Sequence, residues 1–146
     1  MPQTLDLKNL GMSINTLPRF LHKVLSSFKP NSEIPIKKNE VKAIMEIYHT
    51  PNKTMNYYID AVDMKSGSFT YLTDKLVKKN IILKKTSLED KRKTTLCLSE
   101  FGYEIAKQMI DELNIHFNSL LNNLDSKDIK DLEIALKTLD SIYNKI

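Results

Sequence analysis

The stretch KKTSLEDKRKTTLCLSEFG, residues 84–102, decides how this chain folds. Two β-prone runs, IILKKT and TTLCL, flank the loop SLEDKRK at residues 87–93. This joint is too long for a two-residue hairpin turn, so we expect it to project as a loop. The loop carries two acids followed directly by three bases, Glu89, Asp90, Lys91, Arg92 and Lys93.

The basic charge of the chain is concentrated around this loop. The formal net charge is only +4, but residues 75–93 carry eight basic and two acidic side chains. Residues 99–146 carry five basic and nine acidic side chains. A concentrated basic segment is either a solvated face or an electrostatic footprint for an anionic polymer.

Length and composition are those of one globular domain. The 146 residues are 41% hydrophobic and 27% charged, with only three glycines, which argues against disorder and against a loop-rich all-β fold. No apolar run is long enough to span a bilayer, and the chain does not start like a secretory signal. A single cysteine excludes an internal disulfide and fits a reducing cytoplasm.

The residues before the loop predict helices. An apolar face at helical spacing predicts an N-terminal helix, formed by Leu10, Ile14, Leu17, Leu21, Val24 and Phe28. Pro18 should produce a kink or a fresh helix start within it. Turn-forming residues predict a loop over 29–35. A second helix is expected over 39–49, with Val41, Ile44, Met45 and Tyr48 facing inward.

The next segment has helix-turn-helix proportions. Thr54 is a plausible N-cap for a helix that ends near Asp63, and MKSGS is a tight turn. Ser66 or Ser68 could cap the following helix, roughly residues 67–79. The side expected to be buried comprises Phe69, Leu72 and Leu76, with Val77 as a further candidate, and Asn80 is the expected C-cap. A two-stranded loop directly after this helix makes the motif a winged one.

Two long helices are expected after the second strand. The first carries a stripe of Ile105, Met109, Leu113, Phe117, Leu120 and Leu124, and Asp125 or Ser126 should cap the second. The second repeats apolar residues at alternating spacings of three and four, namely Ile129, Leu132, Leu136, Leu139, Tyr143 and Ile146. This narrow seam is suited to another helix.

At this point the sequence resembles the MarR family of winged-helix transcription regulators. TMNYYIDAVDM resembles the family's first motif helix, and SGSFTYLTDKLVKKNII resembles its recognition helix. The family's wing reads roughly Ser-Pro-Glu-Asp-x-Arg, then a strand, then Leu-Thr-x-x-Gly. Six residues fall on that pattern without a gap: Ser87, Glu89, Asp90, Arg92, Leu98 and Gly102.

Four residues depart from the family's usual sequence. Leu88 replaces a proline in the wing, and Asn80 replaces a glycine at the end of the recognition helix. Tyr71 stands where many relatives place an arginine that reaches DNA, so its base preference should differ. Ile59 stands where a small alanine usually packs between the two motif helices, which suggests a slightly altered helix crossing.

The resemblance implies a mainly α, single-domain chain with a small β-wing. Residues 36–101 would form the winged helix-turn-helix lobe, and residues 1–35 and 102–146 the dimerisation helices. It also implies a homodimer that binds a pseudo-palindromic double-stranded DNA operator, more often as a repressor, with a small-molecule effector. No cofactor is expected.

The residues predicted to contact DNA lie on the recognition helix and the wing. Small polar residues at a helix start let backbone N–H groups approach phosphates, and longer side chains reach further. The resemblance makes Arg92 the minor-groove contact, with its lysine neighbours on phosphates. The predicted set is Lys65, Ser66, Gly67, Ser68, Thr70, Tyr71, Lys75, Lys91, Arg92 and Lys93. Asp90 is predicted to order the wing by pairing with Arg92 or accepting loop N–H bonds.

Other residue types offer weaker functions. The three histidines, His22, His49 and His116, have no metal-ligand spacing, and Cys97 is expected to be a buried, inert thiol. A winged-helix module that regulates a partner protein without specific DNA binding is the alternative function, and Tyr71 in place of arginine keeps it open. An enzyme is disfavoured because no nucleophile–base pair, glycine-rich phosphate loop or metal motif is present.

Overall fold

The computed structural model describes residue 11 and residues 13–31, 35–88, 90 and 93–146. The helices are α1 (Thr16–Leu25), α2 (Lys38–His49), α3 (Met55–Val62), α4 (Ser66–Lys78), α5 (Glu100–Leu120) and α6 (Ser126–Tyr143). The strands are β1 (Lys53–Thr54), β2 (Ile82–Thr86) and β3 (Thr94–Leu98). The predicted fold class, mainly α with a small β-wing, is confirmed.

The chain forms two compact units. The winged-helix unit is Pro30–Glu112, and the helical unit combines Met1–Lys29 with Leu113–Ile146. The winged-helix unit extends beyond residue 101, where the predicted lobe ended. The reason is that α5 contributes buried apolar residues, Ile105, Ala106 and Met109, to this unit's core.

The core of the winged-helix unit joins α2, α3, α4, α5 and both long strands. Its fully buried side chains include Ala43, Ile44, Ile47, Tyr58, Phe69, Leu76, Ile81, Ile82 and Leu96. Ile44 faces inward as predicted. The prediction for the rest of α2 was less accurate, because its face is centred on residues 40, 43, 44 and 47. Val41, Met45 and Tyr48 are only partly buried against that core.

The first helix of the helix-turn-helix begins and ends at the predicted residues. Thr54 caps α3, since its Oγ1 accepts the Tyr57 N–H at 3.4 Å. Asp63 ends the helix in the left-handed conformation at φ 53°, and α4 starts three residues later. The C-cap of α4 is Lys79 rather than the predicted Asn80. Asn80 follows it at φ 57°, a left-handed conformation that asparagine tolerates.

The wing is a three-stranded antiparallel sheet in the order β1-β3-β2. β2 and β3 pair from Ile82–Leu98 to Thr86–Thr94, as the two β-prone runs predicted. The sequence did not predict β1, because its two polar residues carry no strand pattern. A tertiary contact holds β1 in place. The buried Tyr58 hydroxyl accepts the Lys53 N–H at 3.1 Å and donates to the Thr50 carbonyl.

The start of α5 is docked against the residues that lead into β2. The Ser99 N–H donates to the Ile81 carbonyl at 3.0 Å, and the Ser99 hydroxyl donates to the Asn80 carbonyl. The same hydroxyl accepts the Gly102 N–H at 2.9 Å. A Cβ at residue 102 would lie 2.0 Å from the Ile81 carbonyl oxygen, so only glycine fits. We call the four residues Asn80, Ile81, Ser99 and Gly102 the docking region.

In the helical unit, α1 starts afresh at Thr16, so Pro18 stands in its first turn, where a missing N–H costs little. Leu10, which the sequence assigned to this helix, lies outside the described residues. Phe20 packs edge-to-face on Phe117 with ring centroids 6.3 Å apart. Asp125 caps α6 by accepting the Asp128 N–H at 2.8 Å, as predicted.

The helical unit leaves much of its apolar surface open. No residue of α6 is buried, and five of the six residues of the predicted seam are at least 40% exposed: Ile129, Leu136, Leu139, Tyr143 and Ile146. Ile115 on α5 is 70% exposed. Contiguous exposed apolar residues of this kind mark an interaction surface.

Candidate nucleic-acid interface

The predicted recognition helix, α4, has one buried and one open face. Phe69, Leu72 and Leu76 point into the core as the sequence predicted, together with Thr73. Val77, the further candidate for the buried side, is 37% exposed. The opposite face comprises Ser66, Gly67, Ser68, Thr70 and Tyr71, all exposed. We call these five residues the open face of α4.

The start of α4 differs from the prediction. Lys65 is the N-cap, and among the described residues no side chain caps this helix. Ser66 is already helical and Ser68 lies further in, so the prediction that one of them caps α4 was wrong. The consequence is that the first N–H groups of α4 lie at an exposed helix start without a side-chain acceptor. Such donors suit a phosphate oxygen.

Gly67 has no structural role that explains it. A Cβ added there would meet no atom within 4 Å, and its backbone is ordinary helix. Glycine inside a helix costs up to about 1 kcal/mol relative to alanine. The fold therefore tolerates a side chain at this residue, and the missing one leaves space for another molecule.

Thr70 and Tyr71 lie at the centre of the open face. The Thr70 hydroxyl donates to the Ser66 carbonyl at 3.0 Å, so it faces outward mainly as an acceptor. The Tyr71 side chain is 74% exposed. It presents an aromatic ring and a phenol hydroxyl, which can contact a thymine methyl group or a base edge.

Lys75 is held by a buried carboxylate. Its Nζ lies 3.0 Å from Oε1 of Glu40 on α2, and Lys79 Nζ lies 3.4 Å from Oε2 of the same residue. Glu40 is 2% exposed and also accepts the Lys37 N–H at 2.8 Å. We call Glu40, Lys75 and Lys79 the carboxylate cluster. The cluster links α4 to α2. Its carboxylate also offsets part of the positive charge of Lys75, which the sequence predicted to contact DNA.

The pKa of Glu40 reflects this setting. Burial by itself raises the pKa of a carboxyl group. Here the Lys37 N–H bond, the Lys75 bond and the charges of the two lysines outweigh burial and lower the Glu40 pKa below its ordinary value. Glu40 is therefore ionised at neutral pH. The burial of Glu40 was not predicted from the sequence, since a lone glutamate in a helix gives no signal of burial.

The tip of the wing is a short hydrogen-bonded loop. The Ser87 N–H donates to the Lys93 carbonyl at 2.9 Å, and the Asp90 N–H donates to Ser87 Oγ at 3.2 Å. The Lys93 N–H donates in turn to the Asp90 carbonyl at 2.9 Å. The backbone of Asp90 is thus part of the loop. Glu89, Lys91 and Arg92 lie outside the described residues, and the pairing of Asp90 with Arg92 stays a prediction.

The basic segment is partly neutralised within the fold. Lys75 and Lys79 belong to the carboxylate cluster, and Lys84 on β2 pairs with Asp74 on α4. Within the described part of the chain, Lys78, Lys85 and Lys93 are in no ion pair. The uneven charge of the sequence therefore serves both internal pairing and an outward basic surface.

Other candidate chemistry finds little support. Cys97 is buried on β3 beside Leu83, as predicted. Across the described residues, no three His, Cys, Asp or Glu side chains are grouped so that they could hold a metal ion. Nor does any described helix have the length and apolar character needed to cross a bilayer.

The order of α2, α3, α4 and the β2–β3 wing defines a winged helix-turn-helix protein. BldR, a transcriptional regulator from Sulfolobus solfataricus, superimposes with a TM-score of 0.70 at 15% identity, covering 98% of this chain and 100% of that one. Wild-type MarR from E. coli matches with a TM-score of 0.63 at 22% identity, covering 94% and 98%. The chain has the fold of the MarR family, and the predicted resemblance is confirmed.

A sequence relative points the same way. The HTH-type transcriptional regulator MhqR of Bacillus subtilis strain 168 is 25% identical over 89 residues. The match covers 60% of this chain and 61% of that protein. No protein-family model matches the sequence. BldR and MhqR are both described as transcriptional regulators.

Proposed function

We propose that this protein is a dimeric, sequence-specific DNA-binding regulator of transcription, acting in the cytoplasm. The observation that carries the proposal is the open face of α4. It combines an uncapped helix start, an unobstructed Gly67 and a Tyr71 side chain that is 74% exposed. None of these features is needed to close the core, and together they fit a helix that enters the major groove.

The residues of the open face, together with Lys65, divide the contacts with DNA among them in this proposal. The N–H groups at the start of α4 bind a phosphate, and Gly67 lets that phosphate approach closely. Tyr71 reads base edges in place of the arginine found in many relatives. Lys65, Ser66 and Ser68 add contacts to the sugar-phosphate backbone, and Thr70 accepts a hydrogen bond from a base amine.

Lys75 takes a secondary role. Its side chain remains 36% exposed while its ammonium group is paired with Glu40, so Lys75 contributes positive potential without being an unpaired cation. At the wing, Arg92 enters the minor groove and Lys91 and Lys93 bind phosphates, with Asp90 keeping the tip ordered. A guanidinium group is favoured there because narrow A·T-rich grooves concentrate negative potential.

The helical unit supports the dimer. The seam of α6 leaves Leu136, Leu139 and Tyr143 at least 40% exposed. A second copy of the chain would bury it, and a dimer would place two recognition helices on a pseudo-palindromic site. Replacing Leu139 by Glu should give monomers in sedimentation experiments, whereas Ser141→Glu, on the opposite side of α6, should leave a dimer. A dimeric Leu139→Glu protein would contradict the seam.

The remaining parts of the proposal come from the family resemblance. The protein acts as a repressor, and a small ligand relieves its binding to DNA. Reporter transcription from the selected operator should therefore rise when the gene for this protein is deleted. A fall on deletion would make it an activator without affecting the DNA-binding proposal.

Selection of binding sites from random duplex DNA tests the central proposal. The purified protein should enrich a pseudo-palindrome whose half-sites lie about one helical turn apart, near 10 base pairs. Tyr71→Ala should reduce discrimination against a single mismatched base pair by about 1 kcal/mol or more. Val77→Ala, on another side of α4, is the control and should not change discrimination. Failure to enrich any motif would refute sequence-specific binding.

A further inference from the structure

A cleft of about 780 Å³ lies between the first turn of α2 and the open face of α4. Its walls include Lys37, Lys38, Gly67, Ser68, Tyr71 and Lys75, and Glu40 lies at its base. Both walls belong to the winged-helix unit. Because Gly67, Ser68 and Tyr71 line it, the cleft is continuous with the surface proposed to meet DNA.

The unbalanced charge of this cleft comes from α2. Lys75 is engaged by Glu40, which also holds Lys79. Lys37 and Lys38 are exposed, and neither is in an ion pair with any residue that the structure describes. Glu40 accepts a hydrogen bond from the backbone N–H of Lys37, but it does not pair with the Lys37 ammonium group. Two cations thus face a cleft whose other lysine is already paired.

The dimensions of DNA decide what these two cations would meet. The major groove is about 12 Å wide, and a helix with its side chains is about 10–12 Å across. A recognition helix therefore fills the groove. A second helix that forms a cleft with the groove-facing side of the recognition helix must therefore lie over the rim of the groove. That rim is made of phosphates.

We propose that Lys37 and Lys38, at the start of α2, bind backbone phosphates on the rim of the groove that α4 occupies. This inference rests on the proposed function, since it assumes that α4 faces DNA. The phosphodiester strand runs through the cleft between the two lysines and Tyr71. The carboxylate cluster keeps α2 and α4 at the separation that this strand needs.

The test compares two double variants with the same loss of charge. Lys37→Gln with Lys38→Gln removes the proposed contacts. Lys42→Gln with Lys107→Gln removes two exposed lysines elsewhere in the winged-helix unit. Binding of the full-length proteins to the selected operator is measured as a function of salt concentration. Each phosphate contact contributes roughly 0.9 to the slope of log affinity against log salt.

We expect the first double variant to lower that slope by about two and to weaken binding roughly tenfold at low salt. Its preference for the operator over a scrambled duplex should be unchanged, because phosphate contacts do not depend on sequence. The control should keep the slope of the native protein. Equal slopes in both double variants would overturn the inference, even if the native protein binds its operator selectively.

The failure of the proposed function looks different. In that case the native protein shows no preference between operator and scrambled duplex. A salt slope that still depends on Lys37 and Lys38 would then support the phosphate contacts without specific regulation. A native protein that binds no duplex DNA would overturn both.

Discussion

Two glycines of the winged-helix unit stand in opposite surroundings. In the docking region, a Cβ at Gly102 would lie 2.0 Å from the Ile81 carbonyl oxygen and 2.9 Å from its carbonyl carbon. On the open face of α4, a Cβ at Gly67 would meet nothing within 4 Å. The fold requires the first glycine. It does not require the second, which agrees with the proposed contact between Gly67 and DNA.

The comparison separates residues that stabilise the fold from exposed residues that are available to bind another molecule. Ser99 and Glu40 belong to the first kind, since each has several hydrogen-bond partners within the winged-helix unit. Tyr71 belongs to the second kind, being large, exposed and without a role in the core. Substitutions should follow the same division. Those in the first group change the free energy of unfolding, and those in the second change DNA affinity.

Gly102→Ala should have the largest effect. The added methyl group would push α5 away from Ile81 and break the bond from the Ser99 N–H to that carbonyl. We expect the free energy of unfolding to fall by about 3 kcal/mol or more, measured by urea denaturation. DNA affinity per folded molecule should be nearly unchanged. A variant as stable as the native protein would show that α5 can shift without cost.

Glu40→Gln should have an intermediate effect on stability. The amide oxygen can still accept the Lys37 N–H, but Lys75 and Lys79 lose their counter-charge. Because their side chains are 36% and 21% exposed, water can partly replace it. We expect the free energy of unfolding at neutral pH to fall by about 1–2 kcal/mol. Glu104→Gln, which changes an exposed carboxylate of the same unit, is the matched control.

The effect of Glu40→Gln should also depend on pH. The folded protein lowers the Glu40 pKa below its ordinary value of 4.5, because the lysine partners and the Lys37 N–H outweigh burial. A lowered pKa stabilises the fold above the ordinary value, and this stability is lost as pH falls through the folded pKa. The difference between the native protein and Glu40→Gln should therefore shrink below about pH 4.5. A constant difference would contradict the ionised cluster.

Arg92→Ala tests whether the wing contacts DNA without contributing to the stability of the fold. Removing the guanidinium group should weaken operator binding by roughly tenfold, about 1.4 kcal/mol, with no loss of stability. Asp90→Ala should weaken binding less, since the role proposed for Asp90 is to order the tip. Leu88→Ala, at a fully exposed residue of the same loop, is the control. Unchanged affinity for Arg92→Ala would exclude the predicted minor-groove contact.

The sequence predicted what depends on local patterns. The ends of α3, the strand pair β2–β3, the left-handed turn at Asn80 after α4 and the burial of Cys97 follow from caps, turn residues and short-range alternation. It missed what depends on distant residues meeting. β1 forms because the Tyr58 hydroxyl accepts the Lys53 N–H. The charge of Lys75 is paired with that of Glu40, a residue 35 positions earlier in the chain. A burial that pairs charges across two helices leaves no mark in either helix alone.

Gly67→Ala should have the smallest effect on stability, and in the opposite direction. Alanine fits the space and favours the helix, so the free energy of unfolding should rise by about 0.5–1 kcal/mol. If a phosphate approaches the start of α4, the same methyl group should weaken operator binding by roughly tenfold. A variant that gains stability and loses affinity identifies a residue kept for its ligand.

The control for this prediction is Gly11→Ala, a helical glycine in the helical unit that also has nothing within 4 Å of an added Cβ. Its operator affinity should equal that of the native protein, because it lies outside the winged-helix unit. If Gly67→Ala keeps full affinity, no phosphate lies against residue 67. The two glycines would then differ only in how tightly the fold surrounds them, and the open face would lose its clearest sign of a ligand.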